Sequence, residues 1–596
     1  MTHFIAAIDA SRERRASLTE AAKRMLTSGS HTSVSAFEQG NVAVVSASQA
    51  WEPFRRGESD RATWFIWGRA LQREPARRST ALDLAALWRE LPDRVPSALE
   101  GIHAALLIEQ NGSWAVAADI LGTMPVYYLC GSDYVLVGST PELFCAHPDF
   151  RPELDPSALA GLLLTNGLVG NRALLRGVRR LGAGNLLHAL SGQPPKELAQ
   201  YRPETSDRYF GSAYEENFRR MEEVLDRCFD RHLPTDASYA LILSGGLDSR
   251  LVAGMAHQRG LRVAAYSFGS RSDIEANCAA RVARTLGWRH TILPIRMERF
   301  VEYADAECKW THLANGFSGI DLQESIPEPQ NVQAMLSGYT METIVGSDHT
   351  AQAGTDPARM SFGRLFGKVN RWGLPVDTVK RLIQKSYAPT VVDDVLKDLE
   401  QTYRDYATRD FQRAWLFDQF HRERYHTSGV LGLHGRWPWP AVAYIDTEMM
   451  DLMAAMPYEH VKHRRMQYDL LKRRFPALAR LPLDRNGFNV KPVVPRYGRI
   501  INSALFKPRE LYYRWTRRLV ERRFYYRTMA FDSPGWNAVR AAAEAHRSKA
   551  HRILDAAALA EVLPRPGEPV SVADGIIDTS KMKLMTGFLL WSARYA

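Results

Sequence analysis

The stretch LILSGGLDSR, residues 241–250, places two hydroxyls, two glycines and a carboxylate directly after an apolar run. Residues 240–243 read as a buried strand, 244–246 as its exit loop and 249–259 as the following helix. A parallel sheet offers ligands the space beyond the C-terminal ends of its strands. A loop so poor in side chains can turn its N–H groups inward as an anion nest, and the helix start adds unpaired donors and a favourable dipole end. Phosphate chemistry follows, with Leu243, Ser244, Gly245, Gly246, Asp248 and Ser249 as the contacting residues. A bare Asp248 would repel phosphate; an intervening Mg2+, which takes oxygen from both groups, removes that conflict. The alternative is an ordinary glycine-rich turn with an acid near a helix start. No GxxxxGK[ST] pattern is present, so the loop is not a Walker A motif.

MLSGYTMETIVGSD, residues 335–348, repeats the arrangement: apolar residues, Ser337-Gly338, a polar segment and Gly346. Glu342 is a second carboxylate able to face Asp248, since two acids from different loops can position a metal between phosphates; the alternative places it on an exposed helix. Tyr339, with an ordinary pKa of about 10, needs a paired acceptor to act as a base and otherwise serves in substrate contact or packing. His434 is a chemically suitable proton acceptor at about pH 7 or a structural histidine. A lysine stabilises developing negative charge better than an uncharged donor does.

The elements that must position these groups are of two kinds. The first 150 residues read as short strands, including segments 41–47, 113–120, 125–130 and 134–139, separated by Gly, Asn and Asp turns. A boundary is expected at about 200–212, before an amphipathic helix over 214–233. Strands then alternate with helices, which predicts a parallel sheet with helices on its faces, and residues 375–428 and the C-terminal region read as helical. Five cysteines without CxxC spacing argue against a disulfide framework or a sulfur-rich zinc site. The net charge of +11 is concentrated: residues 451–530 hold 19 Lys or Arg against 6 Asp or Glu. Such a face is solvated, salt-bridged, or matched to a nucleotide or acidic partner; no zinc-finger, RNA-binding or helix-turn-helix signature points to nucleic acid. No apolar run approaches the roughly 20 residues of a membrane span, and the expected location is cytoplasmic.

SGGLDS at 244–249 resembles the pyrophosphate-binding loop of the ATP pyrophosphatase group, which joins AMP to a substrate oxygen. By that resemblance the serines and glycines hold pyrophosphate and Asp248 holds magnesium. AAYSFGSRSDIEANCAARVARTLG, residues 264–287, resembles the next segment of asparagine synthetase-like enzymes, implying that Ser267, Phe268 and Gly269 line the adenosine pocket. Asp273 and Glu275 are functional there or serve as helix-starting acids. The 335–348 loop resembles the family's SGxGxDExFGG segment, with Gly338 at the nucleotide and Glu342 at the metal-binding Asp; Thr343 replaces the next Glu and Thr340 the usual Gly. Tyr339 matches the catalytic tyrosine of β-lactam synthetases. In residues 433–452, His434 stands where its partner glutamate would fall if Arg436 and Pro438 set the register; aligning Tyr444-Ile445-Asp446 instead leaves no glutamate match. Related enzymes place a functional lysine near the position of Lys491.

Residues 118–144 and 177–184 resemble a class II glutaminase domain, but Thr2 stands where those enzymes have cysteine, so glutamine hydrolysis is not expected. The fold implied is α+β and α/β: a glutaminase-like antiparallel sandwich over 1–205, then a parallel-sheet domain with a helical basic C-terminal region over 206–596. Relatives without the cysteine include lasso peptide macrolactam cyclases and β-lactam synthetases. The resemblance implies ATP and Mg2+, carboxylate attack on the α-phosphorus, departure of pyrophosphate, and amine attack on the acyl-adenylate. The leading expectation is a lasso peptide cyclase joining an Asp or Glu side chain of a precursor peptide to its N-terminal amine, alongside a leader-recognition protein and a cysteine protease. Small-molecule β-lactam closure, intermolecular amide formation and a non-enzymatic peptide-binding scaffold are the alternatives.

Overall fold

Runs such as His3–Asp9 and Ala62–Gly68 are buried along their whole length, as central strands are when both sheet faces are covered. The computed structural model describes residues 2–27, 33–73, 98–320, 324, 326–346, 362–427, 437–485, 490–495, 497, 499–516, 522–570 and 577–595. In the first domain one six-stranded sheet runs Arg179–Arg180, Tyr127–Cys130, Tyr134–Gly138, His3–Asp9, Val42–Ser48, Ser33–Gln39. The other runs Lys196–Ala199, Asn185–Ala189, Trp114–Ala118, His103–Glu109, Ala62–Gly68, Phe54–Glu58. All pairings are antiparallel, and Phe4 of one sheet stacks on Trp67 of the other at 3.8 Å.

The strand-only reading of this region needs one correction, because Arg12–Thr27 is a helix. Leu18, Ala22 and Leu26, spaced four apart, form its buried stripe and share a core with Ile5, Ala7 and Val45. Its many charged residues mask that sparse stripe in the sequence.

The second domain carries a five-stranded parallel sheet, ordered His290–Leu293, Arg262–Phe268, Ser238–Ile242, Ala334–Leu336, Pro440–Ala441. Ser238–Ile242 is central, so the loops leaving it and its neighbour Ala334–Leu336 emerge side by side. The helix after the first loop is Leu247–Gln258, starting two residues before the expected position. Helices Val391–Asp405 and Asp410–Phe417 continue into a π-helical segment, Asp418–Thr427. The chain's basic stretch is substantially paired internally: Arg473 with Glu215, Arg474 with Asp226, Arg523 with Glu275 and Asp484, and Arg527 with Asp273. No described helix is long and apolar enough to cross a membrane. All five cysteines are free.

Candidate functional site

At the exits of the two central strands lies a cavity of about 220 Å³. Leu243, Ser244, Asp248 and Ser249 form one wall, and Gly338, Tyr339 and Glu342 another. The loops approach closely enough to require glycine. Gly245 has φ +77°, and a Cβ there would lie 2.4 Å from Cys278 Cβ; at Gly338 a Cβ would meet the Ser249 nitrogen at 2.6 Å. Gly246 is the N-cap of Leu247–Gln258 and supplies no side-chain cap. The Ser244 and Ser249 hydroxyls sit 3.1 Å apart, and Gly246 N–H reaches Ser244 Oγ over a long 3.3 Å. Weakly engaged donors at a helix start are suited to an anion.

Asp248 and Glu342 meet at one cation that the sequence did not single out. Arg464 Nη2 donates to Asp248 Oδ1 at 2.5 Å and Arg464 Nη1 to Glu342 Oε2 at 3.4 Å. Burial opposes the Arg464 charge, and the Asp248 and Glu342 carboxylates outweigh it, raising its pKa. Gln467 fixes the arrangement, donating to Asp248 Oδ1 and to the Met341 carbonyl at 2.9 and 3.0 Å while accepting from Arg464 Nε at 2.6 Å. Arg464 itself sits at φ +59°, and nothing in its basic surroundings, Lys462-His463-Arg464-Arg465, marks it among its neighbours.

Phe268 and Phe524 close the cavity as an aromatic pair, with centroids 6.1 Å apart. Phe524 was also missed, because it arrives from the C-terminal helix Phe524–Met529. Asp273 and Glu275, read as possible helix-starting acids, anchor that segment: Arg527 forks onto both Asp273 oxygens at 2.6 Å, and Arg523 joins Glu275 and Asp484. Both also stand at a helix start: Asp273 is the N-cap residue of Ile274–Thr285, without a side-chain cap bond, and Glu275 lies in its first turn.

The remaining expected residues are distributed as follows. Ser267 lines the cavity, but its hydroxyl donates to the Leu243 carbonyl at 2.5 Å and lies 2.8 Å from His290 Nε2, tying two strand ends together. Gly269 stands beside Asp273 and bonds to Leu293, outside the cavity lining. Tyr339 is half-buried; its carbonyl accepts from the Tyr444 hydroxyl. Lys491 follows Val490, which pairs with Leu483, and Asp484 pairs with Gly245, so the segment lies against the phosphate loop. Lys491 is not among the cavity-lining residues, and its carbonyl accepts from Arg485. Arg250 staples the same segment down, donating to the Gly245, Leu478, Leu481 and Pro482 carbonyls. His434 lies outside the described residues. Asp446, in the alternative register, is an N-cap to Glu448 N–H and binds Arg231 and His232. At the head of the first domain, Thr2 is fully buried and its hydroxyl donates to Glu52 at 3.1 Å.

Residues 220–473 match the family described as asparagine synthase, and residues 73–201 match the glutamine amidotransferase domain. Asparagine synthetase (glutamine-hydrolyzing) 3 of Bacillus subtilis is 25% identical over 161 residues, covering 26% of this chain and 26% of that protein. A 7-cyano-7-deazaguanine synthase of Novosphingobium aromaticivorans is 42% identical over 69 residues, 11% of this chain and 30% of the relative. This chain thus spans less than a third of the length of the curated relatives it matches. A solved glutamine phosphoribosylpyrophosphate amidotransferase from B. subtilis, complexed with ADP and GMP, is 10% identical with a TM-score of 0.23, covering 49% of this chain and 65% of that one, too weak a superposition to relate the folds. An amidotransferase-type region thus precedes an asparagine-synthase-type one in this chain.

Proposed function

We propose that the protein is an ATP-dependent carbon–nitrogen ligase that activates a carboxylate as its adenylate and joins it to an amine. The observation that carries this reading is the convergence of Asp248 and Glu342 on one cation beside the Ser244–Gly246 loop. Carboxylate oxygens are the hard donors Mg2+ prefers, so Asp248 and Glu342 are the residues that would hold the ion beside this loop. When bound, the ion would neutralise phosphate charge during displacement at the α-phosphorus. The loop N–H groups and the start of Leu247–Gln258 receive the departing pyrophosphate. Phe268 and Phe524 enclose the nucleotide side, and Tyr339 stands on the wall shared with Glu342.

The substrate we infer is a precursor peptide, with an Asp or Glu side chain as the carboxylate and the N-terminal amine as nucleophile: lasso-type macrolactam formation. Thr2 in place of a cysteine nucleophile favours an amine supplied by the substrate itself. Helix Arg499–Thr516 supports a peptide over a small molecule. Ile501, Leu505, Tyr512 and Trp515 recur at helical spacing and are all exposed, only a few residues before the cavity residue Phe524. This reading brings with it a leader-recognition protein and a cysteine protease as partners.

The test is pyrophosphate exchange into ATP with candidate linear peptides, followed by mass spectrometry of the product. Exchange together with loss of one water, and fragments locating an amine-to-side-chain bond, is the expected result. ATP binding without exchange for any carboxylate would overturn the ligase reading. Exchange with small amino acid derivatives alone would overturn only the peptide substrate.

A further inference from the structure

A second cavity, of about 540 Å³, shares no lining residue with the first. It lies between the 170–183 turn of the first domain and the segments Val391–Asp405 and Asp418–Thr427 of the second. Four arginines, Arg172, Arg179, Arg202 and Arg424, reach its wall against two carboxylates, Asp155 and Asp398. Both acids are already engaged. Asp155 caps helix Pro156–Thr165 by accepting from the Ser157 and Ala158 N–H groups, and Asp398 pairs with Arg172 at 2.5 Å.

Arg202 and Arg424 have only neutral hydrogen-bond acceptors among the described residues. Arg424 donates to Asn171 Oδ1 at 2.9 Å and to the Leu181 carbonyl. Arg202 donates to the Ala183 and Tyr201 carbonyls at 2.7 and 2.6 Å. Behind them, buried Arg180 donates to the Gly122 and Arg424 carbonyls. Glu197, whose charge reaches Arg202 and Arg424, is itself occupied by Gly182 N–H, Asn185 Nδ2 and the Tyr128 hydroxyl. His421 adds no negative charge: its ring accepts from Gly170 N–H at 3.0 Å and meets the Tyr406 hydroxyl at 3.0 Å.

Arg424 is buried, and positive charge withdrawn from water without a counter-charge is costly, so the wall is electrostatically incomplete there, while exposed Arg179 and Arg202 add further positive charge beside it. Its volume falls in the range of small-ligand sites. His421 and Arg424 both sit on the π-helical segment, a distortion often retained at functional sites. We propose that this cavity binds a small oxyanion, carrying phosphate or carboxylate groups, at the junction of the two domains and apart from the proposed nucleotide site.

The experiment is calorimetric titration of the full chain with inorganic pyrophosphate and, separately, with citrate. A saturable site is expected that persists in Asp248→Asn, separate from any pyrophosphate held by the Ser244–Gly246 loop, and that is weakened at least tenfold by Arg179→Gln or Arg202→Gln; the anion that binds it identifies phosphate or carboxylate as the recognised group. The bound anion should raise the melting temperature of the wild type but not of the arginine variants, with pyrophosphate exchange activity retained in both. If Arg202→Gln fails to fold, Arg179→Gln, a change at an exposed wall residue, carries the test. Absence of binding by both anions, binding indifferent to the arginine variants, or binding lost with Asp248→Asn overturns the proposal. Because exchange is read separately, loss of this site and loss of the ligase reading are distinguishable.

Discussion

Asp248 and Arg464 carry opposite predictions from one contact. Asp248→Asn removes the carboxylate that would hold the metal, and exchange is expected to fall by about 100-fold or more, measured as isotope incorporation into ATP. Arg464→Gln leaves Asp248 and Glu342 without their shared guanidinium, so nucleotide-free Mn2+ binding, read by paramagnetic resonance, is expected to tighten about tenfold, a difference of about 1.4 kcal/mol. A merely structural arginine would give no gain in metal affinity. Asp248 was legible because strand, glycines, acid and helix are contiguous. Arg464 was not, because its partners come from loops 216 and 122 residues away.

The element that most alters the site is the short helix Phe524–Met529. Arg523 holds it in place, and its side chain is 1% exposed against 5% for Glu275 and 4% for Asp484. Burial, and then the Asp484 charge, raise the Glu275 pKa, and the Arg523 charge opposes that rise. Arg523→Gln is expected to cost about 3–5 kcal/mol, because it strands buried carboxylates. Chemical denaturation gives the loss, and hydrogen exchange should show residues 522–529 opening first. Trp515→Ala, 87% exposed on helix Arg499–Thr516, should leave stability within about 0.5 kcal/mol of wild type while raising KM for a peptide substrate. The parallel sheet itself was readable from apolar runs followed by glycine-rich exits. The clamp was not: Asp273 and Glu275 look like local helix-start residues, and only the folded chain brings Arg527 and Arg523 to them, about 250 residues later in sequence.

At the scale of the whole molecule, the junction between domains contains buried Glu100 beside Asp446. The Thr447 hydroxyl and N–H donate to Glu100, while Arg231 and His232 hold Asp446. Burial, and then the Asp446 charge, raise the Glu100 pKa. The folded protein therefore keeps a proton that the unfolded chain releases from about pH 4.5 upward. Its contribution is fully present below that pH and is lost as pH rises, until Glu100 itself ionises in the fold. Glu100→Gln, which can still accept from Thr447, is expected to flatten the fall in melting temperature between about pH 5 and 8. The two-domain plan was legible because period-two strands give way to alternating strands and helices. The residues that join the domains were not, because Glu100 and Thr447 are 347 positions apart and carry no shared motif.

The Tyr595 hydroxyl donates to Glu142 of the first domain at 2.5 Å, across 453 residues. In the order of synthesis, Glu142 is made early and its donor follows only 453 residues later. Every described strand of both domains precedes residue 442, so the helix that carries Tyr595 is made after all the sheets it helps to fasten.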